Sequence, residues 1–167
     1  KHLHDIGLFD PVTGNSSSTG GANFTSEFSS ALLDLASRRT DVVAVTAAMP
    51  GSTGLLPFQE RYPNRFFDVG IAEQHALTSA AGMARAGLRP FVAIYSTFLA
   101  RGFDQMMYDI GLHRLPVVIC IDRAGVTGPD GPSHHGIHDI AMYSRVPGMT
   151  IFAPSAIQEL PVMLEQA

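Results

Sequence analysis

Three uninterrupted apolar runs are the feature that most limits which fold this chain can adopt. They are VVAV from Val42, FVAI from Phe91 and VVICI from Val117. None of them alternates polar and apolar residues, as a strand covered on only one face would. Segments with helical patterns separate the runs along the chain. The sequence therefore predicts the α/β class: a three-layer, mainly parallel, doubly wound sheet with helices on both faces.

The predicted elements alternate between helix and strand. Helices are expected near 25–37, 73–85 and 98–112 and from 155 onward, and strands at 41–46, 65–69, 90–95, 116–122 and 150–153. Ser155 with Gln158 predicts a capping box at the last helix, and Gly87 predicts a left-handed cap after the alanine-rich helix. The tract GNSSSTGG predicts a flexible linker, so we expect an N-terminal segment at 1–22 and one domain at 23–167.

Composition excludes several kinds of partner. The chain has 46% hydrophobic and 16% charged residues, which is typical of a packed globular protein. Its formal charge of −4 gives no reason to expect nucleic acid or an anionic membrane as a partner. No apolar run approaches the length of a membrane span. The single Cys120 is expected in the core, and the lack of a disulfide framework favours a reducing compartment, so we expect a cytoplasmic location.

Polar residues cluster directly after the predicted strands. The four stretches are TAAMPGSTG, the residues from Asp68 to Glu73, YSTF, and DRAGVTGPDGPSHHGIHD. In open parallel sheets, ligands bind in the crevice at the carboxyl ends of the strands. The pattern therefore predicts an active site or cofactor site at that edge.

Glu73 lies between apolar neighbours, in the first turn of the alanine-rich helix. One interpretation is a surface carboxylate that is stabilised by the helix dipole. The other is a buried acid that serves proton transfer or a strong hydrogen bond. The residues alone leave both interpretations open.

The long loop after Asp122 has two interpretations as well. Its three histidines and several carboxylates could hold a metal ion, as in a metal-dependent hydrolase, although their spacing matches no common metal motif. Alternatively, one histidine acts as an acid or base and Arg123 binds an anion. After the preceding strand, an aromatic side chain beside Arg101 would suit a flat heterocyclic ligand.

Two long segments carry a resemblance to a known family. FDVGIAEQHALTSAAGMARAGLRPFVAIYSTFLARGFDQMMYDI and PVVICIDRAGVTGPDGPSHHG resemble the pyrimidine-binding domain of 1-deoxy-D-xylulose-5-phosphate synthases, which are transketolase-like thiamine diphosphate enzymes. The likeness extends over about 41–154. IAEQH alone would also fit transketolases or the β chains of 2-oxo-acid dehydrogenases. AIYSTFLAR and DGPSHHG make the match specific.

This resemblance implies a reaction and a cofactor. Such enzymes condense pyruvate with D-glyceraldehyde 3-phosphate to give 1-deoxy-D-xylulose 5-phosphate and carbon dioxide. The sugar phosphate is a precursor of isoprenoids and thiamine. By resemblance, Glu73 is a catalytic residue that hydrogen-bonds N1′ of the cofactor's aminopyrimidine ring. Phe98 is expected to stack on that ring, with Arg101 beside it.

The resemblance also assigns residues to the substrates. Tyr95, Arg123 and Asp130 are expected to hold the phosphorylated aldehyde. His134 is expected to protonate or position the substrate, and His4 in HDIGLFDP is expected to line the same site. His135 and His138 match no role in the family, and a supporting or surface position is expected for both.

The family's other cofactor motif does not occur in this sequence. Family members hold the diphosphate and Mg²⁺ through a Gly-Asp-Gly motif in a separate N-terminal domain, so no metal ligand is assigned here. We expect this chain to be a piece of a longer, homodimeric enzyme with further N- and C-terminal domains. By itself it should bind the cofactor weakly and have little or no synthase activity. The alternatives are a transketolase or 2-oxo-acid dehydrogenase relative, the hydrolase, or a non-catalytic association module.

Overall fold

A four-stranded parallel sheet forms the centre of the molecule. The structure, a computed structural model, describes residues 9–15 and 22–167. The strands are β1 (Val42–Thr46), β2 (Phe66–Asp68), β3 (Arg89–Tyr95) and β4 (Val118–Asp122), in the order β2-β1-β3-β4. All three neighbouring pairs are parallel. The predicted α/β class is therefore confirmed.

Helices cover both faces of this sheet. They are α1 (Phe24–Arg38), α2 (Leu56–Arg61), α3 (Glu73–Arg85), α4 (Ser96–Leu99), α5 (Phe103–Gln105), α6 (Asp139–Tyr143) and α7 (Leu160–Gln166). One core cluster packs residues of α1 and α7, among them Leu32 and Leu164, on one face. The other contains Leu77 of α3 and Tyr143 of α6. Two separate cores are what a three-layer fold requires, since each sheet face needs its own apolar cover.

Local hydrogen bonds explain where two helices begin and end. Asn23 and Ser26 form a capping box at the start of α1, in which each side chain accepts the other residue's N–H, at 2.8 and 3.0 Å. Gly87 ends α3 with a φ of 91°, and the Leu88 N–H donates to the Met83 carbonyl at 3.1 Å. The left-handed cap predicted at Gly87 is thus confirmed.

The helix predicted over 98–112 starts earlier and is interrupted. After α4 come a 3-10 turn (Ala100–Gly102), α5 and a π-helical stretch (Met106–Gly111). A Cβ on Gly102 would lie 2.5 Å from Leu77 Cδ1, and a Cβ on Gly111 would lie equally close to Val146. These close approaches explain why glycine occupies the last position of the 3-10 turn and of the π-helical stretch.

Two predictions near the C-terminal end are wrong. Residues 150–153 form no strand and take no regular structure. Ile151 and Phe152 remain 43% and 40% exposed, so burial does not stabilise a strand there. The predicted capping partner of Ser155 was Gln158, but the side chain that accepts the Ser155 N–H, at 2.8 Å, belongs to Glu159. A 3-10 turn at Ile157–Glu159 precedes α7 and brings that carboxylate into reach.

The strand order places a crevice between β1 and β3. The chain leaves β1 for β2 on one side and returns to β3 on the other, so the loops after β1 and β3 diverge at this point. The end of β3 and the loop after β1 still contact each other: the Tyr95 N–H lies 3.4 Å from Met49 Sδ. Among the described helices, none combines the length and apolar character of a membrane span.

Candidate active site

The turn before Glu73 is held in place by one carboxylate. Asp68 Oδ1, at the end of β2, accepts the Ala48 N–H at 2.7 Å and the Gly70 N–H at 3.0 Å. Both donor residues have left-handed backbones, with φ of 62° at Ala48 and 75° at Gly70. Such a backbone is disfavoured for alanine, so the Asp68 bonds help to maintain it. The loops after β1 and β2 are thereby fixed at the start of α3.

Glu73 itself is a buried carboxyl group. It is 2% exposed, and its Oε2 atom has no hydrogen-bond partner among the described residues. Arg101 Nη1 lies 3.3 Å from Oε2, close enough for charge pairing, but the guanidinium side chain is 55% exposed. This burial does not fit the interpretation as a surface carboxylate. An unsatisfied oxygen in the interior is suited to a hydrogen bond from a ligand.

Aromatic rings lie along the same crevice. The Tyr95 and Phe98 ring centroids are 5.7 Å apart with planes 30° apart, and the His134 ring meets Phe98 edge-on at 5.6 Å. Phe98 is 36% exposed although it lies among packed residues. The arrangement leaves part of an aromatic side chain available to a flat ligand.

Arg123 is oriented by its neighbours on three sides. Its backbone is left-handed, with a φ of 57°, and its N–H donates to Asp122 Oδ1 at 2.7 Å. The guanidinium carbon lies 4.1 Å from the centre of the Tyr95 ring, and the guanidinium pairs with Asp130. Burial raises the pKa of the Asp122 carboxyl. A planar cation held in this way could bind an anionic substrate group.

The remaining histidines of the loop do not form a metal site. His135 Nδ1 accepts the Thr127 N–H at 3.1 Å and is therefore occupied within the loop. His138 is exposed. Among the residues that the structure describes, no three His, Cys, Asp or Glu side chains could hold a metal ion together. The hydrolase interpretation, which depends on such a cluster, finds no support in this geometry.

The structure brings most of the predicted site residues together. Direct contacts join Glu73 to Arg101, and they also join a second group, Tyr95, Phe98, Arg123, Asp130 and His134. Phe98 and Arg101, which lie three residues apart in one helical segment, connect the two groups. His4 lies outside the described residues.

Sequence reasoning gave no role to the Asp68 carboxylate or to a Ser96–Asp139 hydrogen bond of 2.7 Å. Position could have indicated Asp68 and Ser96, since Asp68 ends one strand and Ser96 follows another. Nothing in the sequence links Ser96 to a residue 43 positions away.

Comparison with known proteins shows which family the chain belongs to. The family model described as the transketolase pyrimidine binding domain matches residues 21–167. The chain belongs to this family. A relative from Mycolicibacterium vanbaalenii is 59% identical over 152 residues, which are 91% of this chain and 24% of that protein. One from Mycobacteroides abscessus is 54% identical over 167 residues, which are 100% of this chain and 26% of that protein.

Both relatives are named 1-deoxy-D-xylulose-5-phosphate synthase, and this pyrimidine-binding domain spans about a quarter of their length. A split-gene transketolase, described as an inactive beta4 tetramer, is 30% identical with a TM-score of 0.77. The alignment covers 88% of this chain and 48% of that one. Transketolase from Leishmania mexicana has a TM-score of 0.76 at 17% identity, covering 85% and 22% of the two chains, and supports the fold alone.

Proposed function

We propose that this pyrimidine-binding domain works in a 1-deoxy-D-xylulose-5-phosphate synthase, which joins pyruvate to D-glyceraldehyde 3-phosphate with loss of carbon dioxide. Thiamine diphosphate is the proposed cofactor. The relatives' names support the substrate pair, and the family supports the cofactor.

The observation that carries the proposal is the buried Oε2 atom of Glu73, which accepts no hydrogen bond among the described residues. Phe98, which is 36% exposed, lies three residues before Arg101, the cation 3.3 Å from that atom. An aminopyrimidine ring offers what these two groups lack, since its ring nitrogen can hydrogen-bond a carboxyl group and its flat face can cover an aromatic ring. Arg101, which pairs with Glu73, would remain at the edge of this site. The residues present therefore fit the pyrimidine half of the cofactor.

When bound, thiamine diphosphate supplies the carbon nucleophile and the electron sink for decarboxylation. The chain's own residues have simpler tasks. Glu73 holds or moves a proton at the N1′ atom of the ring, in a site where few water molecules can compete. Phe98 and Arg101 fix the orientation of the ring.

The residues of the long loop act on the second substrate. Arg123 would bind the phosphate of the aldehyde, and Asp130, its partner here, would accept hydrogen bonds from the aldehyde's hydroxyl groups. Tyr95 supports the Arg123 guanidinium through its ring face. His134, which contacts Phe98, is close enough to the proposed ring site to position the substrate or to give it a proton. His4 is proposed to line the same site.

The proposal extends to parts of the enzyme beyond this domain. We place Mg²⁺ and the diphosphate on residues outside this chain, in a homodimeric, cytoplasmic enzyme. The chain alone is then expected to bind the cofactor weakly. Calorimetry that finds micromolar or tighter, magnesium-dependent thiamine diphosphate binding to the 167 residues would contradict this part.

A chimera tests the reaction itself. In the Mycolicibacterium vanbaalenii relative, the matched segment is replaced by the corresponding residues of this chain. We expect 1-deoxy-D-xylulose 5-phosphate to form from pyruvate and D-glyceraldehyde 3-phosphate. Glu73→Gln should reduce kcat by at least about a hundredfold, because proton transfer by a positioned group contributes that much. Glu60→Gln, the same change at an exposed site, should leave kcat unaltered.

Substrate choice separates the alternatives. If the chimera used ketose phosphate donors or a lipoyl acceptor in preference to the pyruvate and aldehyde pair, the transketolase or 2-oxo-acid dehydrogenase interpretation would replace this one. If Glu73→Gln retained the full rate, Glu73 would have no part in the proton transfer.

A further inference from the structure

A partly buried hydrogen bond joins the start of α4 to the end of the long loop. Ser96, the residue after Tyr95, is 2% exposed, and its hydroxyl donates to Asp139 Oδ1 at 2.7 Å. The other carboxylate oxygen, Oδ2, is buried and has no hydrogen-bond partner among the described residues. Ser96 is therefore the one hydrogen-bond donor that the described part of the chain provides to this carboxylate. A charge-assisted bond of this kind is stronger than an ordinary one.

The loop also lies directly against Ser96. A Cβ added to Gly136 would come within 2.7 Å of Ser96 Cβ and 2.9 Å of the Arg123 carbonyl oxygen, so only glycine fits there. Gly136 and Gly125 exchange two backbone hydrogen bonds, of 2.8 and 3.1 Å. These bonds tie the beginning and the end of residues 123–139, the site loop, to each other. Ser96 is thus packed against the point where the loop closes.

We propose that Ser96 and Asp139 are positioning residues that clamp the site loop onto the start of α4. The clamp keeps Arg123 and His134 against Tyr95 and Phe98. Neither Ser96 nor Asp139 needs to touch a substrate for this effect. The consequence for the aldehyde substrate rests on the proposed function, whereas the clamp itself does not.

The asymmetry of the site makes the proposal specific. Arg123, Asp130 and His134, the residues proposed to act on the aldehyde, are all in the site loop. Glu73 lies in α3, outside the loop, and is paired with Arg101. Loosening the clamp should therefore weaken aldehyde binding while leaving the pyrimidine site largely intact.

Amide hydrogen exchange of the 167-residue chain tests the clamp without any cofactor. In Ser96→Ala, the amides of Gly125 and Gly136 should exchange at least about tenfold faster, because the bond from Ser96 to the partly buried Asp139 carboxylate is lost. Amides in the middle of β3 should keep their rates. Ser79→Ala is the matched control, because the Ser79 hydroxyl donates to a carbonyl of its own helix, that of Ala76 at 3.1 Å.

Asp139→Asn guards against a variant that does not fold. Its side-chain carbonyl can still accept from Ser96, but the negative charge is gone, so we expect the Gly125 and Gly136 amides to exchange at rates between those of wild type and Ser96→Ala. Wild-type loop exchange in both variants would overturn the clamp. A uniform increase across sheet and loop amides would overturn it as well, because it would indicate general destabilisation.

Kinetics of the chimera test the functional consequence. Ser96→Ala should raise KM for D-glyceraldehyde 3-phosphate by about tenfold or more, while KM for pyruvate and the affinity for thiamine diphosphate change less than about twofold. A merely structural loss would alter all three quantities together, and that result would overturn the positioning role. If the wild-type chimera made no product, the proposed function would fail, and hydrogen exchange would decide the clamp independently.

Discussion

Replacing Glu73 with glutamine should stabilise the isolated chain while removing its proposed function. The carboxylate is almost fully buried, and its Oε2 atom makes no hydrogen bond among the described residues. Taking such a charge out of water costs several kcal/mol. At an effective dielectric constant near 20, a partner charge 3.3 Å away returns about 5 kcal/mol, and the solvent around the half-exposed Arg101 guanidinium reduces that gain. The charge is therefore incompletely compensated.

Glutamine has nearly the same shape and carries no charge. Removing one partner of a buried ion pair is costly when the other charge stays buried, but the Arg101 side chain is 55% exposed. Loss of the buried Glu73 charge should therefore stabilise the chain, and we expect about 1–2 kcal/mol. For a domain of this size that corresponds to a rise in Tm of about 2–8 °C. Differential scanning calorimetry of the chain at pH 7 measures it. Glu60→Gln, at an exposed position, should change Tm by less than about 2 °C.

A double-mutant cycle decides whether the charge is the cause. Arg101→Gln alone should lower Tm, because it removes the cation nearest to a buried carboxylate, and it should have little further effect once Glu73 is glutamine. A lower Tm in Glu73→Gln, or additive effects of the two changes, would refute the reasoning. A stabilised but inactive variant is what a residue selected for function rather than stability should give.

Three further predictions concern the packing and titration of single residues. Cys120, expected in the core, is only partly buried and packs against one core cluster. Desolvation still raises the pKa of its thiol to about 12, so at pH 8 only roughly one thiol in ten thousand is thiolate. A disulfide reagent should label it far more slowly than a peptide thiol, and prompt labelling would contradict the raised pKa. Gly102→Ala would place a Cβ 2.5 Å from the buried Leu77 and should cost about 1–3 kcal/mol in thermal unfolding. At Gly82, apart from its chain neighbours and its own helix backbone, no atom lies within 4 Å of a new Cβ, so Gly82→Ala should stabilise the chain by about 0.5–1 kcal/mol. Equal effects of the two changes would refute the steric argument. Burial raises the Asp122 pKa above its ordinary value of 3.8, so the wild-type fold loses stability relative to Asp122→Asn as the pH rises through and above that value. The Tm of the variant minus that of wild type should therefore grow from pH 3 to pH 7. A Tm difference that does not depend on pH would exclude this cause.

The strands were predictable because their apolar runs are local signals. Val42 and Phe91 begin runs that need cover on both faces, and the observed strands differ from the predicted ones by at most two residues at either end. Residues 150–153 carry a similar apolar signal but form no strand, since Ile151 and Phe152 stay partly exposed. Strand propensity therefore predicted a strand correctly only where tertiary packing also buried the segment.

The positions of the candidate site residues were predictable where a chemical signal coincided with a strand end. Glu73 and Arg123 follow β2 and β4, and the parallel topology brings both to the same edge. The Ser96–Asp139 bond could not be predicted, because hydrogen bonds between distant residues depend on how the loop closes. Gly136, which permits that closure, has no sequence feature that distinguishes it from other glycines of the loop. Supporting contacts of this kind become visible only in the folded chain.

One packing contact connects the fold to the chemistry of Glu73. Gly102 has no Cβ, so α3 can approach the 3-10 turn after α4 until Leu77 fills the space beside it. Arg101, the preceding residue, is thereby brought to 3.3 Å from the Glu73 carboxylate. A regular helix over 98–112, as the sequence pattern predicts, would change the pitch at this turn and with it the direction of Arg101. The irregular helix is therefore part of what places a cation beside the buried acid, and a larger residue at position 102 should disturb stability and the Glu73–Arg101 pair together.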